Sequence, residues 1–305
     1  MTISVRSARA RTAGMFASMV LLCVVSARVG VTAQSWHAQY FPNVDLTTQT
    51  GARVHFYDLI KGKTVAIELI YTTCQFACPL ETARLAQVQT LLGDRMGKDV
   101  FFYSISIDPE RDTPAALKAF AEKYHAGPGW TFLTGKREDI DLISKKLGLY
   151  SAPDPENKDG HMPALLIGNE ATGQWIRGSA LDNPKMTATM IGNWVAGYPA
   201  AAPIKSYADA PPLPKYTSGQ YLFSTKCSAC HTLGSGSKVG PDLSGITHTR
   251  DRQWLARYIA GPDDLLKAGD PLAKSLLAKY KDLRMPNLQL NGQQVADVIA
   301  YLDGR

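Results

Sequence analysis

The sequence lacks internal repeats, low-complexity segments and any strong excess of one charge over most of its length. Charged residues make up 20% and apolar residues 45% of the chain, which is typical of an ordinary globular protein rather than a disordered one. No apolar run beyond the N-terminal segment is long enough to cross a membrane, because a spanning helix needs about 20 apolar residues. A length of 305 residues is sufficient for two domains.

The N-terminal segment differs from the rest of the chain in charge and hydropathy. Arginines precede an apolar run at residues 13–25, and small residues end the segment at Ala33. This order is typical of a secretory signal, so we expect residues 1–33 to be a signal peptide that directs export to the periplasm. The alternative is an uncleaved membrane anchor. Lipidation of Cys23 is disfavoured because a leucine, not a small residue, precedes it.

The charge of the exported chain excludes one class of partner. Residues 1–33 contain four arginines and no acidic residue, so their removal lowers the formal net charge from +6 to +2. Such a small charge gives no electrostatic case for nucleic-acid binding. Residues 34–200 carry a formal charge of −2 and residues 201–305 one of +4. Opposite charges favour docking of two tethered domains. The alternative is that these charged residues form ordinary solvated surfaces, which would give the same formal charges.

Four cysteines remain after the signal, and they form two spaced pairs. Cys74 and Cys78 lie between a β-branched run at residues 64–71 and a helical periodicity that continues to Gly93. The first turn of a helix stabilises thiolates through its free N–H groups and its dipole. In an exported protein this pair is compatible with a metal site, a redox couple or a disulfide.

Strands alternate with helices between the first cysteine pair and about residue 195, which predicts an α/β sandwich around a mixed sheet. Residues 53–59 alternate in polarity and predict a hairpin or an edge strand. A proline- and alanine-rich stretch at residues 199–215 has no apolar periodicity and predicts a linker. It separates a domain at residues 34–198 from a mostly helical domain at residues 216–305.

The second cysteine pair belongs to the sequence Cys227-Ser228-Ala229-Cys230-His231. This pattern is the attachment motif of a c-type haem, because two thiols one helical turn apart can add to two vinyl groups while the next histidine reaches the iron. The alternatives are two small buried residues before a surface histidine and a thioredoxin-like redox motif.

Further matches follow in the order typical of one family. Gly219 and Phe223 precede the motif, and Gly240-Pro241-Asp242-Leu243, Met285-Pro286 and a terminal helix with Tyr301-Leu302 come after it. Residues 216–305 therefore resemble a class I cytochrome c.

The cytochrome resemblance implies an all-α fold and one covalently attached haem c. Cys227 and Cys230 would carry the thioether bonds, His231 would be the proximal iron ligand and Met285 the distal one. His248 is the rival candidate for the sixth ligand.

The N-terminal domain carries a different set of matches. They include Phe41-Pro42-Asn43, the Cys74 to Pro79 stretch, the run from Ser106 to Pro114 and a histidine, His161, before a β-hairpin. Residues 36–200 therefore resemble the Sco/SenC copper chaperones, which have a thioredoxin-like fold. The resemblance implies that Cys74, Cys78 and His161 bind copper, a ligand set that suits the ion chemically.

Two positions depart from that family's pattern. The family has Cys-Pro where this chain has Cys74-Gln75, and a small hydroxyl residue where Met162 follows His161. Neither departure removes a ligand. The second, in which Met162-Pro163 follows His161, could place a proline beside the cysteines as in thioredoxins, and it leaves the choice between copper binding and thiol redox chemistry open.

The preferred hypothesis is an exported copper-binding protein whose haem transfers single electrons during copper delivery to, or redox maturation of, a respiratory cuproenzyme. Other redox proteins would be its partners, and only an uncleaved N-terminal segment would tether it to a membrane. The first alternative is an enzyme, a thiol-disulfide oxidoreductase with Cys74 as nucleophile and Cys78 as resolving thiol. The second is an electron-transfer cytochrome whose N-terminal domain only docks partners.

Overall fold

The computed structural model describes residues 40–74, 77–152, 161–195 and 215–305. The predicted signal peptide and all but Lys215 of the predicted linker lie outside these residues. Within the described ranges, no helix has both the length and the apolar character needed to cross a bilayer.

A seven-stranded mixed sheet forms the centre of the N-terminal domain, in the order β2-β1-β5-β4-β3-β6-β7. The central strands β3, β4 and β5 are parallel, whereas β6 and β7 form an antiparallel hairpin beside β3. The strands are β1 (Asp45–Thr48), β2 (Arg53–His55), β3 (Thr64–Ile70), β4 (Val100–Ser106), β5 (Trp130–Gly135), β6 (Ala164–Asn169) and β7 (Gln174–Ser179).

The sequence of β3 explains its central position. All seven of its residues are buried, as expected for a strand covered on both faces by helices. Helices α2, α3 and α5 pack on one face of the sheet, and α1 and α4 pack on the other. They are α1 (Phe56–Ile60), α2 (Ala77–Leu92), α3 (Pro114–Lys123), α4 (Arg137–Lys146) and α5 (Pro184–Thr189).

The prediction of a strand over residues 53–59 is wrong in its second half. The strand ends at His55, and helix α1 begins at Phe56. Phe56 and Ile60 are both fully buried, and their spacing of four residues places them on the same side of a helix. Burial of both side chains in a helix is therefore favoured over the alternating polarity of residues 53–59, which would require the strand to continue.

The C-terminal domain is helical, as the sequence predicts. Its core is built mainly from α6, α8 and α11. Helices α6 and α11 cross closely at Gly219, where a Cβ atom would overlap the backbone of Asp297. The helices are α6 (Ser218–Leu222), α7 (Ile246–Thr249), α8 (Arg252–Ala260), α9 (Pro262–Lys267), α10 (Pro271–Lys279) and α11 (Gly292–Asp303).

Helix α2 is the element of the N-terminal domain that contacts the C-terminal domain. Leu80 and Ala83 share an apolar cluster with Ala229 and Val239. The Arg84 Nη2 atom donates a hydrogen bond to the Thr225 carbonyl, and Gln87 Nε2 donates one to the Ser228 carbonyl over 3.0 Å. Apolar packing and hydrogen bonds from side chains to backbone carbonyls form this contact, so it gives no support to docking driven by the opposite formal charges.

Candidate functional site

The first cysteine pair lies where the central strand β3 is followed by helix α2. Cys74 is in the connecting loop, and Cys78 is in the first turn of the helix. Both side chains are buried thiols. Pro79 follows without loss of a hydrogen bond, because the N–H groups of a first helical turn have no partner within the helix.

A buried carboxylate holds the loop before Cys74 in place. Asp112 accepts hydrogen bonds from the hydroxyls of Thr72 and Ser106, each over 2.5 Å, and from the Thr72 backbone N–H over 3.1 Å. These bonds join the loop to the end of β4 and thereby fix where the cysteine loop begins. The sequence analysis did not identify this role, since Asp112 lies almost 40 positions from the loop that it holds.

The structure brings His161 to the cysteine pair, as the sequence resemblance implies. The ligand atoms of Cys74, Cys78 and His161 all lie within 4.8 Å of one another. The Cys78 Sγ atom is 3.7 Å from His161 Nε2 and 3.9 Å from Nδ1. Two thiolates and an imidazole form a soft donor set that fits Cu(I), and no rearrangement of the backbone is needed to bring them together.

Glu81 orients the histidine and was not identified from the sequence. His161 Nε2 lies 2.9 Å from the Leu69 carbonyl oxygen and 3.3 Å from the Glu81 carboxylate, so both neighbours of this nitrogen are acceptors. The proton therefore belongs on Nε2, which leaves Nδ1 free for a metal ion. The sequence feature that could have identified it is the position of Glu81 three residues after Cys78, which places both residues on the same side of α2.

Burial and charge act in opposite directions on His161. Burial lowers its pKa, but the hydrogen bond and charge of Glu81 outweigh this effect and raise the pKa to about 9. Burial also raises the pKa of Glu81 itself. The raised pKa of His161 and the raised pKa of Glu81 indicate that this buried imidazole and carboxyl group share a proton. The charged form of His161 is favoured as long as no metal is bound.

The Cys78 thiol is less acidic than its place in the helix suggests. Burial raises its pKa well above the ordinary value, and the neighbouring Cys74 and Glu81 raise it further. The sequence analysis expected the N-terminus of α2 to stabilise thiolates, but loss of hydration outweighs the helix dipole here. A metal ion that binds this thiol must therefore displace its proton.

The second cysteine pair lines a cavity of about 290 Å³ in the C-terminal domain. Cys227, Cys230, His231 and Met285 all face this cavity. The rest of its wall is largely apolar and includes Phe223, Leu255, Ile259, Leu283, Val298 and Leu302.

The surroundings of His231 prepare it for iron. Its Nδ1 atom is 2.9 Å from the Pro241 carbonyl oxygen and donates a hydrogen bond to it, which leaves Nε2 free. Burial lowers the pKa of His231, so the ring is neutral as a metal ligand must be. A Cβ atom on Gly240 would lie 2.7 Å from the ring carbon Cε1, so only glycine allows this position of the imidazole.

Met285 and His248 differ in their relation to the cavity. Met285 is part of its wall, whereas His248 is exposed and is not among the lining residues. Together with the neutral His231 and the apolar wall, this arrangement fits a haem with histidine and methionine as axial ligands.

Comparison with known families gives matches to two separate segments of the chain. The SCO1/SenC family model matches residues 33–167, and the cytochrome c family model matches residues 216–304. The chain therefore contains a SCO1/SenC domain followed by a cytochrome c domain, and the second domain implies haem c as a cofactor. The predicted fold, a thioredoxin-like α/β domain followed by an all-α cytochrome c domain, is confirmed.

Individual relatives match the first domain. The mitochondrial SCO1 homologue of Homo sapiens is 33% identical over 115 residues, or 37% of either chain. The SCO1 homologue of Bacillus subtilis is 34% identical over 113 residues, which cover 36% of this chain and 58% of the relative. The chain thus spans less than two thirds of either protein.

Solved structures also match this domain. A SCO1/SenC family lipoprotein from Bacillus anthracis is 26% identical, with a TM-score of 0.45, over 52% of this chain and 94% of that one. The copper-bound structure of ScoI from Bradyrhizobium japonicum is 27% identical, with a TM-score of 0.41, over 48% and 94% of the two chains.

Proposed function

We propose that this chain is an exported copper-binding protein that delivers copper to a respiratory cuproenzyme, or maintains the redox state of that enzyme's copper site, with electrons supplied through its own haem. The observation that supports this function best is the buried cluster of Cys74, Cys78 and His161, whose ligand atoms lie within 4.8 Å of one another. Binding of copper by a relative is shown by the copper-bound ScoI of Bradyrhizobium japonicum.

Each ligand has a definite role in the proposed copper site. The two thiols lose their protons and hold the copper ion as cargo, and His161 contributes Nδ1 while Glu81 and the Leu69 carbonyl hold its other nitrogen. Burial excludes water, which favours soft Cu(I) over more strongly hydrated ions. Release to an acceptor would proceed by exchange of the same soft ligands.

In the cytochrome c domain, Cys227 and Cys230 would attach the haem covalently, with His231 and Met285 as axial ligands. The haem, when bound, supplies the transfer of one electron at a time. Copper also changes its oxidation state by one electron, whereas reduction of a disulfide needs two. The fusion of these two domains therefore favours copper over a disulfide as the redox partner of the haem.

The second candidate is a thiol-disulfide oxidoreductase that uses Cys74 and Cys78. The closeness of two thiols at the start of helix α2 favours it. The raised pKa of Cys78 disfavours it, because the resolving thiol must also attack as a thiolate. The remaining candidate is a cytochrome whose first domain only docks redox partners.

Export through residues 1–33 would place the protein in the periplasm, free in solution after cleavage or tethered by an uncleaved segment. The names of two relatives support a location outside the cytoplasm or at a membrane: the lipoprotein of Bacillus anthracis and the SenC protein of Rhodobacter capsulatus. Another relative is described as a member of a family of cytochrome c oxidase assembly proteins, which supports a respiratory acceptor.

Copper titration of the full haem-loaded chain tests this function. The parent protein should bind one Cu(I) tightly, as measured by competition with a chromogenic chelator. Cys74→Ala and His161→Ala should both lose tight binding, because each removes a ligand. His248→Ala is the matched control, since it removes an exposed histidine outside the cluster.

Two other outcomes would each select a rival function. Absence of copper binding together with rapid reduction of a protein disulfide would establish the oxidoreductase. Absence of both activities, with reversible haem reduction retained, would leave the cytochrome with a docking domain.

A further inference from the structure

Two residues of the SCO1/SenC domain form part of the haem cavity of the cytochrome c domain. Pro79, which follows the thiol Cys78 in the chain, lies in the cavity wall. Tyr124, the residue after helix α3, lies there as well. The cavity is therefore a composite of both domains.

Tyr124 brings an unpartnered polar atom to this wall. The residue is only 1% exposed, and its ring packs against Phe120 with 4.8 Å between ring centroids. Within the described part of the chain, its hydroxyl has no hydrogen-bond partner. Burial raises the pKa of Tyr124, so the hydroxyl keeps its proton. The O–H group is thus available as a donor to the contents of the pocket.

Arg84 brings a positive charge to the same region. Its side chain is 5% exposed, and it reaches from helix α2 to the Thr225 carbonyl in the segment just before the haem motif. Thr225 lies two residues before Cys227, so this hydrogen bond holds the Arg84 guanidinium beside the segment that leads into the haem motif.

We propose that the SCO1/SenC domain raises the reduction potential of the haem by placing the Arg84 guanidinium beside the segment that leads into the haem motif and the Tyr124 phenol in the cavity wall. The ferrous haem carries one more electron than the ferric haem. A buried positive charge and the positive end of an O–H dipole both stabilise the state with the extra electron. A cytochrome c domain without this partner would lack both groups, so docking of the two domains sets the driving force for electron transfer.

Redox titration of the full haem-loaded chain tests this inference, with visible absorbance as the readout. Arg84→Gln and Tyr124→Phe should each shift the midpoint potential downward. Arg84→Lys should restore most of the potential, because it keeps the charge. Tyr103→Phe is the matched control: this buried tyrosine donates to the Leu59 carbonyl over 2.7 Å, and it is not part of the cavity wall.

The titration needs no copper, so its outcome is independent of the copper-binding test. The absorption band of methionine-ligated haem should persist in all variants, which separates an electrostatic effect from loss of a ligand. If Arg84→Gln does not fold, Tyr124→Phe decides alone, since it removes a single oxygen atom. A midpoint potential unchanged in Tyr124→Phe and in the folded Arg84→Gln protein would overturn the proposal.

Discussion

Glu68 illustrates how a single buried side chain makes the stability of this domain depend on pH. It lies on the central strand β3, where the Ser104 hydroxyl donates a hydrogen bond to it over 2.6 Å. Burial, followed by the charge of Glu81, raises its pKa to about 8. The folded state therefore keeps a proton on Glu68 under conditions in which the unfolded chain releases it.

The consequence is a loss of stability with rising pH. Between the ordinary pKa of a glutamate and a value of about 8, the folded protein binds one more proton than the unfolded chain. The free energy of unfolding should fall over this interval by up to about 1.4 kcal/mol per pH unit from this group alone. Glu68→Gln, which cannot ionise, should flatten the dependence when guanidinium unfolding is compared at pH values across the interval. The exposed Glu122→Gln variant is the control, and an equally steep fall in Glu68→Gln would contradict the assignment.

The site residues show which roles a sequence can reveal. Cys74, Cys78, His161 and the haem motif stand out because their side-chain chemistry and spacing are distinctive. Glu81 and Tyr124 do not, since a buried carboxylate or tyrosine has no local signature. Their roles arise only when the fold brings His161 and the cytochrome c domain against them.

Helix packing in the cytochrome c domain depends on one small residue. Gly219 of α6 meets the backbone of α11 at Asp297, where no side chain fits. Gly219→Ala should therefore force the helices apart and destabilise the domain by about 1–3 kcal/mol, the usual cost of overpacking. Denaturant unfolding followed by haem absorbance measures the effect. Gly292→Ala, where a Cβ would meet open space, should leave stability nearly unchanged, and equal effects of the two substitutions would exclude the packing explanation.

Among the elements, the long regular ones were predictable and the short ones were not. β3 and β4 are buried runs rich in β-branched and aromatic residues, and α11 has an apolar stripe at helical spacing, so local pattern and tertiary burial agree. The four-residue strand β1 and the five-residue helix α1 owe their form to packing against distant parts of the sheet. A window of a few residues does not contain that information.

At the scale of the whole molecule, the two candidate redox sites share a boundary. Cys78 is a candidate copper ligand, and the next residue, Pro79, is part of the haem cavity wall. A change of charge at the thiols therefore occurs one residue from the haem pocket, in an interior where charges are weakly screened. By linkage, a ligand at one site must alter the equilibrium at the other whenever the two interact.

The sign of this coupling follows from the charges exchanged when copper binds. The two thiols lose two protons and the charged His161 loses one when they bind copper, while Cu(I) brings only one positive charge, so the copper site becomes more negative. A negative charge next to the pocket disfavours the extra electron of ferrous haem. Loading the reduced, full-length protein with Cu(I) should therefore lower the midpoint potential of the haem, and reduction of the haem should weaken Cu(I) binding by the same factor. Cys74→Ala, which lacks a copper ligand, should show no response to added Cu(I). An unchanged potential in the copper-loaded parent, or an equal shift in Cys74→Ala, would show that the two sites act independently although they lie side by side.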